Sequence, residues 1–278
     1  MHVLAGGDSF TFMNWGDADH PMATKAAWPN YVDERESGVS PYQVTVCAEM
    51  AAGNELISRN VISAIYKLSP NAVVIGWSDP NRFETFIDHK DDPTIYEWLL
   101  NRPRLRMADS DVPAEYRGWT GTSRPGRGQS LTNYVVNGVA TPGENVSWLK
   151  SGGSYGLWQY GHEELDRKMR LYQENLHNEE LQYLKTIENI LRVQWLCETK
   201  EIPLFNFKAW NHSLFNETYE TSELFESQIN PFTWYSSTLF DFSIEKGMPG
   251  SLTNPEHPLK KYQKLFAQEV IISWLDKL

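Results

Sequence analysis

The sequence of 278 residues contains two cysteines and has no apolar run long enough to cross a lipid bilayer. Neither Cys47 nor Cys197 belongs to a Cys-x-x-Cys pair, which argues against a structural zinc site. Two isolated thiols are typical of buried, free cysteines in a reducing compartment. The chain does not begin with a basic segment, an apolar stretch and a small-residue cleavage site, so we expect no secretion signal.

Positive charge is scarce as well. The 25 lysines and arginines are outnumbered by 36 aspartates and glutamates, for a formal net charge of -11. Because phosphate groups are bound by clustered Lys and Arg, this balance predicts no nucleic-acid partner and no docking on anionic membranes. The Gly-rich segment Arg117–Arg127 is the local exception, and we interpret it as a solvated loop. Asp17, Asp19 and His20 are too few converging ligands to predict a metal site.

What the sequence does contain is an alternation of apolar stretches and amphipathic helices. Four stretches predict strands: His2–Ala5, Gln43–Ala48, Asn71–Trp77 and Ile202–Phe207. Apolar residues at spacings of three and four predict helices after Asn54 (Ile57, Val61, Ile65, Leu68), over 163–201, and over 259–278 (Tyr262, Phe266, Val270, Trp274). Asn178, followed by two glutamates, is expected to cap a second helix within 163–201. The pattern predicts one α/β domain, residues 1–278, with three α/β/α layers around a doubly wound, mainly parallel sheet.

Residues 88–162 interrupt this alternation. The segment is rich in Asp, Pro, Gly, Arg, Trp and Ser, and we interpret it as an insertion or lid over the site rather than a second domain. Its aromatic residues are suited either to stacking on sugar rings or to packing within the lid; they are Trp119, Tyr134, Trp148, Tyr155 and Trp158. Residues 222–242 are aromatic-rich and fit no single element.

The first strand leads directly into Gly6-Gly7-Asp8-Ser9. Two glycines permit a sharp turn, and a serine at the carboxyl end of a parallel strand lies where open α/β sheets place their ligands. We therefore predict that Ser9 is a nucleophile, the alternative being an ordinary strand-to-loop turn. Ester hydrolysis also needs a base, and His257, just before the last predicted helix, is the candidate.

Two further strand ends are expected at the same edge of the sheet. Gly53 and Asn54 precede a helix, whose N-terminal amides suit an anion or a developing oxyanion. A polar cluster, Trp77 to Arg82, follows the third strand. Arg82 is expected either to pair with Asp79 or Glu84 or to bind a substrate anion, and Trp77 either to lie in the core or to contact substrate.

These motifs resemble the SGNH, or GDSL-type, hydrolase family. Gly7-Asp8-Ser9 is similar to the nucleophile block, Gly53 with Asn54 to the second block, Gly76-Trp77-Ser78-Asp79 to the third, and His257-Pro258 to the last. The resemblance spans the chain in order, with 88–162 as an addition, and implies a flavodoxin-like sheet and catalysis without a cofactor. It also implies that Gly53, Ser78 and Asn54 bind the oxyanion, with Asp8, Trp77 and Arg82 nearby at the substrate.

Two positions depart from the family pattern. Ser78 stands where the third block has the asparagine that donates to the oxyanion, and a hydroxyl offers one hydrogen bond in its place. Asn254 stands where the last block has an aspartate, which makes it the expected orienter of His257, although Glu256 is the charged alternative. The run from Trp77 to Arg82 also resembles members of the family encoded by tailed bacteriophages.

The resulting expectation is a cytoplasmic or virion-associated serine esterase that cleaves an acyl ester, with O-acetyl groups on a carbohydrate as the candidate substrate. The alternative is a non-catalytic SGNH-fold protein that binds carbohydrate on a virion, an interpretation that the two departures favour. The acyl group, the alcohol and the oligomeric state are not encoded in these motifs.

Overall fold

The computed structural model describes residues 1–8, 10–11, 27–33, 41–48, 52–88, 93–94, 146–152, 163–209, 219–220, 222–248, 258 and 260–278. Seven strands lie in these ranges: β1 (His2–Gly7), β2 (Gln43–Val46), β3 (Ala72–Trp77), β4 (Arg82–Asp88), β5 (Val146–Gly152), β6 (Leu204–Lys208) and β7 (Trp234–Thr238). The helices in the same ranges are α1 (Trp28–Asp33), α2 (Asn54–Leu68), α3 (Glu163–Asn175), α4 (Glu179–Thr199), α5 (Glu223–Glu226), α6 (Leu239–Glu245), α7 (Lys260–Phe266) and α8 (Ser273–Leu275).

Five of the strands form an all-parallel sheet in the order β2-β1-β3-β6-β7. Counting only the strands of this sheet, the order is 2-1-3-4-5, the flavodoxin-like arrangement of a doubly wound fold. The chain reverses its winding direction between β1 and β3, so a crevice is expected beyond the carboxyl ends of these two strands. The predicted fold class is confirmed.

Alternate residues of β1 contact opposite helical layers. Val3 and Ala5 belong to a core that includes Trp28 of α1 and Phe266 of α7. Leu4 belongs to a second core, formed with residues of α2 and α4. Both faces of the strand are therefore covered, which explains why its sequence is continuously apolar rather than alternating.

The helix patterns were predicted well within the described residues. α2 places Ile57, Val61 and Ile65 in the core, as their spacing predicts. Asn178 does cap a new helix: its side-chain oxygen accepts a 2.8 Å hydrogen bond from the backbone amide of Leu181. α3 therefore ends and α4 begins within the segment that the periodicity marked as helical. None of the helices described is long and apolar enough to span a membrane.

The last helix differs from its prediction. The face predicted for 259–278 continued from Tyr262 and Phe266 to Val270 and Trp274. The structure contains a π-helical turn at Ala267–Ile272, between α7 and α8, whose wider winding rotates the buried face by one position. Ile271 and Leu275 are buried in consequence, while the predicted pair is only partly buried.

Strands β4 and β5 were not predicted. They pair antiparallel in a separate two-stranded sheet, with Arg82 opposite Gly152 and Asp88 opposite Val146. The pairing brings Asp88 and Val146 side by side, at the two borders of the segment 89–145. The aromatic positions of the predicted lid lie outside the described residues, except Trp148, of which the structure gives the backbone. Residues 222–242, unassigned from the sequence, contain α5, β7 and the start of α6.

Both cysteines lie in the core between the sheet and the layer of α2 and α4, and both are free thiols. Burial raises the pKa of Cys47 to about 12, and burial together with the nearby Glu198 raises the pKa of Cys197 to about 12. A thiolate is the reactive form, so at pH 8 only about one part in 10⁴ of each group is nucleophilic.

We therefore expect no reaction of the native protein with a disulfide reagent such as DTNB over an hour at pH 8. After unfolding in guanidinium chloride, two thiols per chain are expected to react at once. Prompt labelling of a thiol in the native protein would contradict the buried environment described for Cys47 and Cys197.

Candidate functional site

The candidate site lies at the carboxyl edge of the parallel sheet, where β1 and β3 end side by side. Gly7, the last residue of β1, is opposite Gly76 in β3. Asp8 directly follows β1 and Ser78 directly follows β3, and their side chains are in contact at this edge. α2 begins at Asn54 on the same edge, because it follows β2 and runs back across the sheet.

Asp8 is the centre of the polar contacts at this edge. Its carboxylate is fully buried and accepts hydrogen bonds from Ser78 Oγ at 2.8 Å and Arg82 Nη1 at 2.9 Å through one oxygen. The other oxygen accepts from the backbone amide of Phe10 at 3.0 Å. A buried carboxylate is tolerated only when it is paired and hydrogen-bonded, and Asp8 meets both conditions. The side chain ties the ends of β1 and β3 to the start of β4.

The hydroxyl of Ser78 is engaged on both sides. It donates to Asp8 and accepts from Arg82 Nη1 at 2.9 Å. A serine hydroxyl has a single proton, so donation to an oxyanion would require this proton to leave Asp8. Ser78 is in the predicted position, but its proton has an acceptor already.

The side chain of Asn54 forms two hydrogen bonds with the backbone of Ser78. Its side-chain oxygen accepts from the amide of Ser78 at 2.8 Å, and its Nδ2 donates to the carbonyl of Ser78 at 3.0 Å. The same nitrogen donates to Thr186 Oγ1 of α4 at 3.2 Å. Both amide protons of Asn54 thus have acceptors, and the side chain fixes the end of β3 against α2 and α4. Gly53, directly before α2, has an extended backbone with φ of -81° and ψ of 169°.

The sequence left open whether Trp77 lies in the core or contacts substrate, and whether Arg82 forms an ion pair or binds a substrate anion. Trp77 is completely buried, and its indole nitrogen donates to Asn206 Oδ1 at 2.9 Å, so the side chain lies in the core beneath the edge. Arg82 forms an ion pair with Asp8, a partner that was not predicted from the sequence. Asp79 contacts Arg82 through the backbone, where its carbonyl accepts from the Arg82 amide at 3.1 Å.

Thr11 packs beneath the turn that follows β1. Its amide donates to the carbonyl of Asp8 at 3.0 Å, which closes the turn. A Cβ on Gly7 would overlap Thr11 Oγ1 and lie 2.9 Å from Thr11 Cβ, and a Cβ on Gly76 would lie 3.1 Å from the same hydroxyl. Gly7 also has a φ of +152°, which L-residues rarely adopt. Gly7, at the end of β1, makes the space that Thr11 fills, and Gly76, opposite it in β3, makes room for both Thr11 and Phe207.

Trp28 connects the two ends of the chain. Its indole nitrogen donates to Thr11 Oγ1 at 3.3 Å, and its backbone amide donates to Gln263 Oε1 at 3.1 Å. Gln263 lies on α7, the helix that follows His257, while Thr11 closely follows Ser9. All three connecting residues are buried. Thr11, near the predicted nucleophile, and Gln263, near the predicted base, are therefore joined through Trp28.

Sequence reasoning missed Thr11, Trp28 and Gln263. Trp28 and Gln263 are 235 positions apart, and no local pattern predicts such a contact. The pair of glycines at the ends of β1 and β3 was the available signal for Thr11, because glycine in a buried strand marks close approach of another group. Ser9, Asn254 and His257 lie outside the described residues, as does Glu256.

One further cation lies at the same edge. Lys208 ends β6 and is opposite Trp77 of β3. Its partial burial lowers the pKa of the ammonium group, and the nearby Asp241 opposes this shift. The sequence analysis did not single out Lys208. In the part of the chain that the structure describes, no group of three His, Cys, Asp or Glu side chains is placed to hold a metal ion.

The fold and the geometry of this edge define a doubly wound α/β protein with a buried polar cluster at the topological switch point. No protein-family model matches the chain, and no curated protein matches it significantly. Membership of the hydrolase family therefore stays a prediction from the motifs.

The overlap at Gly7 leads to a stability prediction. Gly7→Ala places a methyl group against Thr11 in addition to the cost of a positive φ, and we expect it to lower the free energy of unfolding by about 1–3 kcal/mol more than the matched change Gly247→Ala. Gly247 also has a positive φ, of +89°, but an added Cβ there has no heavy atom within 4 Å. Urea unfolding of both variants measures the difference, and equal losses would show that Thr11 does not fill this space.

The contact between Trp28 and Gln263 leads to a second prediction. Gln263→Met keeps the volume of the side chain but leaves the buried amide of Trp28 without its acceptor, which should cost about 1–3 kcal/mol in urea unfolding. Gln268→Met, on a partly exposed position of the same C-terminal segment, is the control and should change stability little. A neutral result at Gln263 would mean that this contact does not hold the C-terminal helix to α1.

Proposed function

We propose that the protein is a serine esterase that forms an acyl-enzyme on Ser9. In this reaction His257 takes the proton of the Ser9 hydroxyl while its oxygen forms a bond to the acyl carbon. The ester C–O bond then breaks, and the alcohol leaves with the proton from the imidazolium. Water activated by the same imidazole hydrolyses the acyl-enzyme. Asn254 orients the ring, and no cofactor enters the reaction.

The observation that carries the proposal is the direct hydrogen bonding among residues of three motif blocks. Asp8, from the nucleophile block, bonds the side chain of Ser78 in the third block, and Asn54, from the second block, bonds the backbone of Ser78. Parallel topology alone brings these strand ends to one edge, but a shared site also requires direct bonds among all three blocks, as these residues form. These contacts put the residue before Ser9 into the same buried cluster as the predicted oxyanion elements.

The link through Trp28 supports the proposal independently. A serine and a histidine near opposite ends of the chain can react together only if the fold brings those ends close. Thr11 and Gln263, which follow the two predicted catalytic residues in sequence, both bond Trp28. This arrangement favours proximity of the nucleophile and the base.

For the oxyanion, we propose the backbone amides of Ser9 and Gly53 as the principal donors. Ser78 and Asn54 were predicted as side-chain donors, but in the structure their protons bond Asp8, the Ser78 carbonyl and Thr186. Their part is then to hold the two loops in position. Loss of one oxyanion donor costs on the order of 10²–10³ in rate, so a slow enzyme is expected if nothing replaces it.

We propose an O-acetylated carbohydrate as the substrate class and the cytoplasm or a virion as the place of action. The aromatic content of the insertion and the similarity of the third block to phage-encoded proteins support this choice. The overall negative charge supports a neutral or cationic substrate over nucleic acid or anionic lipid.

A second candidate function is carbohydrate binding without catalysis, as in a virion-associated protein that keeps only the fold. The observation in its favour is that the side-chain donors at Ser78 and Asn54 are occupied by structural contacts. A site selected only for binding has no need of a free oxyanion donor.

Turnover of p-nitrophenyl acetate distinguishes the two functions. We expect Ser9→Ala and His257→Ala each to reduce kcat/KM by at least about 10³-fold, because both residues act in the same covalent step. Ser227→Ala, at an exposed serine, is the control and should be fully active. A fluorophosphonate should add one adduct to the wild-type protein, located at Ser9 by mass spectrometry. Equal background turnover in all variants, with no adduct, would leave only the binding function.

A further inference from the structure

A guanidinium nitrogen in the candidate site has no hydrogen-bond partner among the residues that the structure describes. The side chain of Arg82 is 2% exposed, and its Nη1 bonds Asp8 and Ser78. Its Nε, also buried, donates to no acceptor within the described ranges. An unpaired buried donor is unfavourable, and such groups in native proteins call for an explanation. This nitrogen is therefore a donor for which the described part of the chain provides no acceptor oxygen.

The position of this donor relates it to the third motif block. Arg82 follows Ser78 by four residues, and the two side chains are in direct contact at 2.9 Å. Ser78 stands where the family pattern has the asparagine that donates to the oxyanion. Nε and Nη1 belong to one rigid planar group, so the contacts of Nη1 with Ser78 and Asp8 also fix Nε, whose N–H is directed along the other edge of the group.

We infer that the Nε–H of Arg82 donates to the acyl oxygen of the substrate and stabilises the oxyanion, in place of the missing asparagine. This inference rests on the proposed esterase function and identifies the side-chain donor which that function otherwise lacks. Arg82 is then a catalytic residue, whereas Asp8 and Ser78 are positioning residues for its guanidinium group.

The surroundings of Arg82 suit this role. Asp8 balances the charge of the guanidinium before the reaction, and the two bonds to Nη1 fix the plane of the group. A donor fixed in advance needs no reorganisation when negative charge develops on the substrate. A bond from a charged donor to an oxyanion is also about twice as strong as a neutral one.

Arg82→Lys is the variant that tests the inference. A lysine keeps a cation for the buried Asp8 but has no planar Nε–H donor. We expect kcat for p-nitrophenyl acetate to fall about 10²–10³-fold with KM changed less than about threefold, because the bond forms fully only in the transition state. Inhibition by a phenylboronic acid, which forms a tetrahedral anionic adduct on the serine, should weaken by a similar factor. Arg192→Lys, at an exposed ion pair of α4, is the control and should match wild type.

The outcomes separate this inference from the esterase proposal. Ser9-dependent turnover combined with an unchanged kcat in Arg82→Lys would overturn the inference alone and indicate that Nε binds only an internal water. Absence of Ser9-dependent turnover in the wild-type protein would overturn both. A fall in stability without a matching loss of boronic-acid affinity would show a purely structural role for Arg82.

A measurement on the wild-type protein covers the case in which Arg82→Lys fails to fold. In protein labelled with ¹⁵N-arginine, the Arg82 Nε–H signal, assigned through its own side-chain correlations, should shift strongly downfield when the boronic acid adduct forms. The signal of Arg192 should not move. An Arg82 signal that is unchanged in the saturated adduct would overturn the inference irrespective of any variant.

Discussion

The candidate site depends on one buried ion pair, between Asp8 and Arg82. Two charges removed from water are stable only with close geometry and with their remaining hydrogen-bonding capacity satisfied. Asp8 meets this requirement with three donors, from Ser78, Arg82 and the amide of Phe10. Removing one partner of such a pair costs on the order of 3–5 kcal/mol, since the other charge is left buried alone. The ends of β1 and β3 and the start of β4 are therefore held in one arrangement.

The substitution of serine for asparagine in the third block is consistent with this pair. One hydroxyl oxygen accepts from Arg82 and donates to Asp8, so Ser78 completes a closed set of three contacts. The side chain of Asn54 bonds both the backbone amide and the backbone carbonyl of Ser78. It thereby satisfies the two backbone groups that a neighbouring strand would otherwise pair. Asn54 and Ser78 are therefore held in fixed positions next to the guanidinium group of Arg82. Ser78, which differs from the pattern of the family that the motifs resemble, therefore takes part in a local network of hydrogen bonds.

The sequence was sufficient to predict what depends on local pattern and on parallel topology. Apolar runs predicted four of the five parallel strands, and helical spacing predicted α2. Because parallel strands end at one edge, Asp8 and Ser78 were expected to be neighbours, and they are. The pairing of β4 with β5 was not predictable, because its partners are separated by the long segment 89–145 and neither strand alternates clearly. The pairing of Arg82 with Asp8 was not predicted for a related reason: nearness in sequence suggested Asp79 or Glu84, whereas the fold brings Asp8, 74 positions away, into contact.

The two candidate functions differ by the use of a single donor. If the site only binds a ligand, the Nε of Arg82, which has no partner among the described residues, donates to a ligand oxygen whose charge does not change. If the site hydrolyses esters, the same nitrogen supplies the donor that Ser78 and Asn54 do not provide. Its charge is also balanced by Asp8 in the resting state, so a neutral ester enters without a strong field against it. A charged donor fixed beside its counterion stabilises a developing oxyanion more strongly than a neutral ligand oxygen, which is the physical reason to favour catalysis over binding alone.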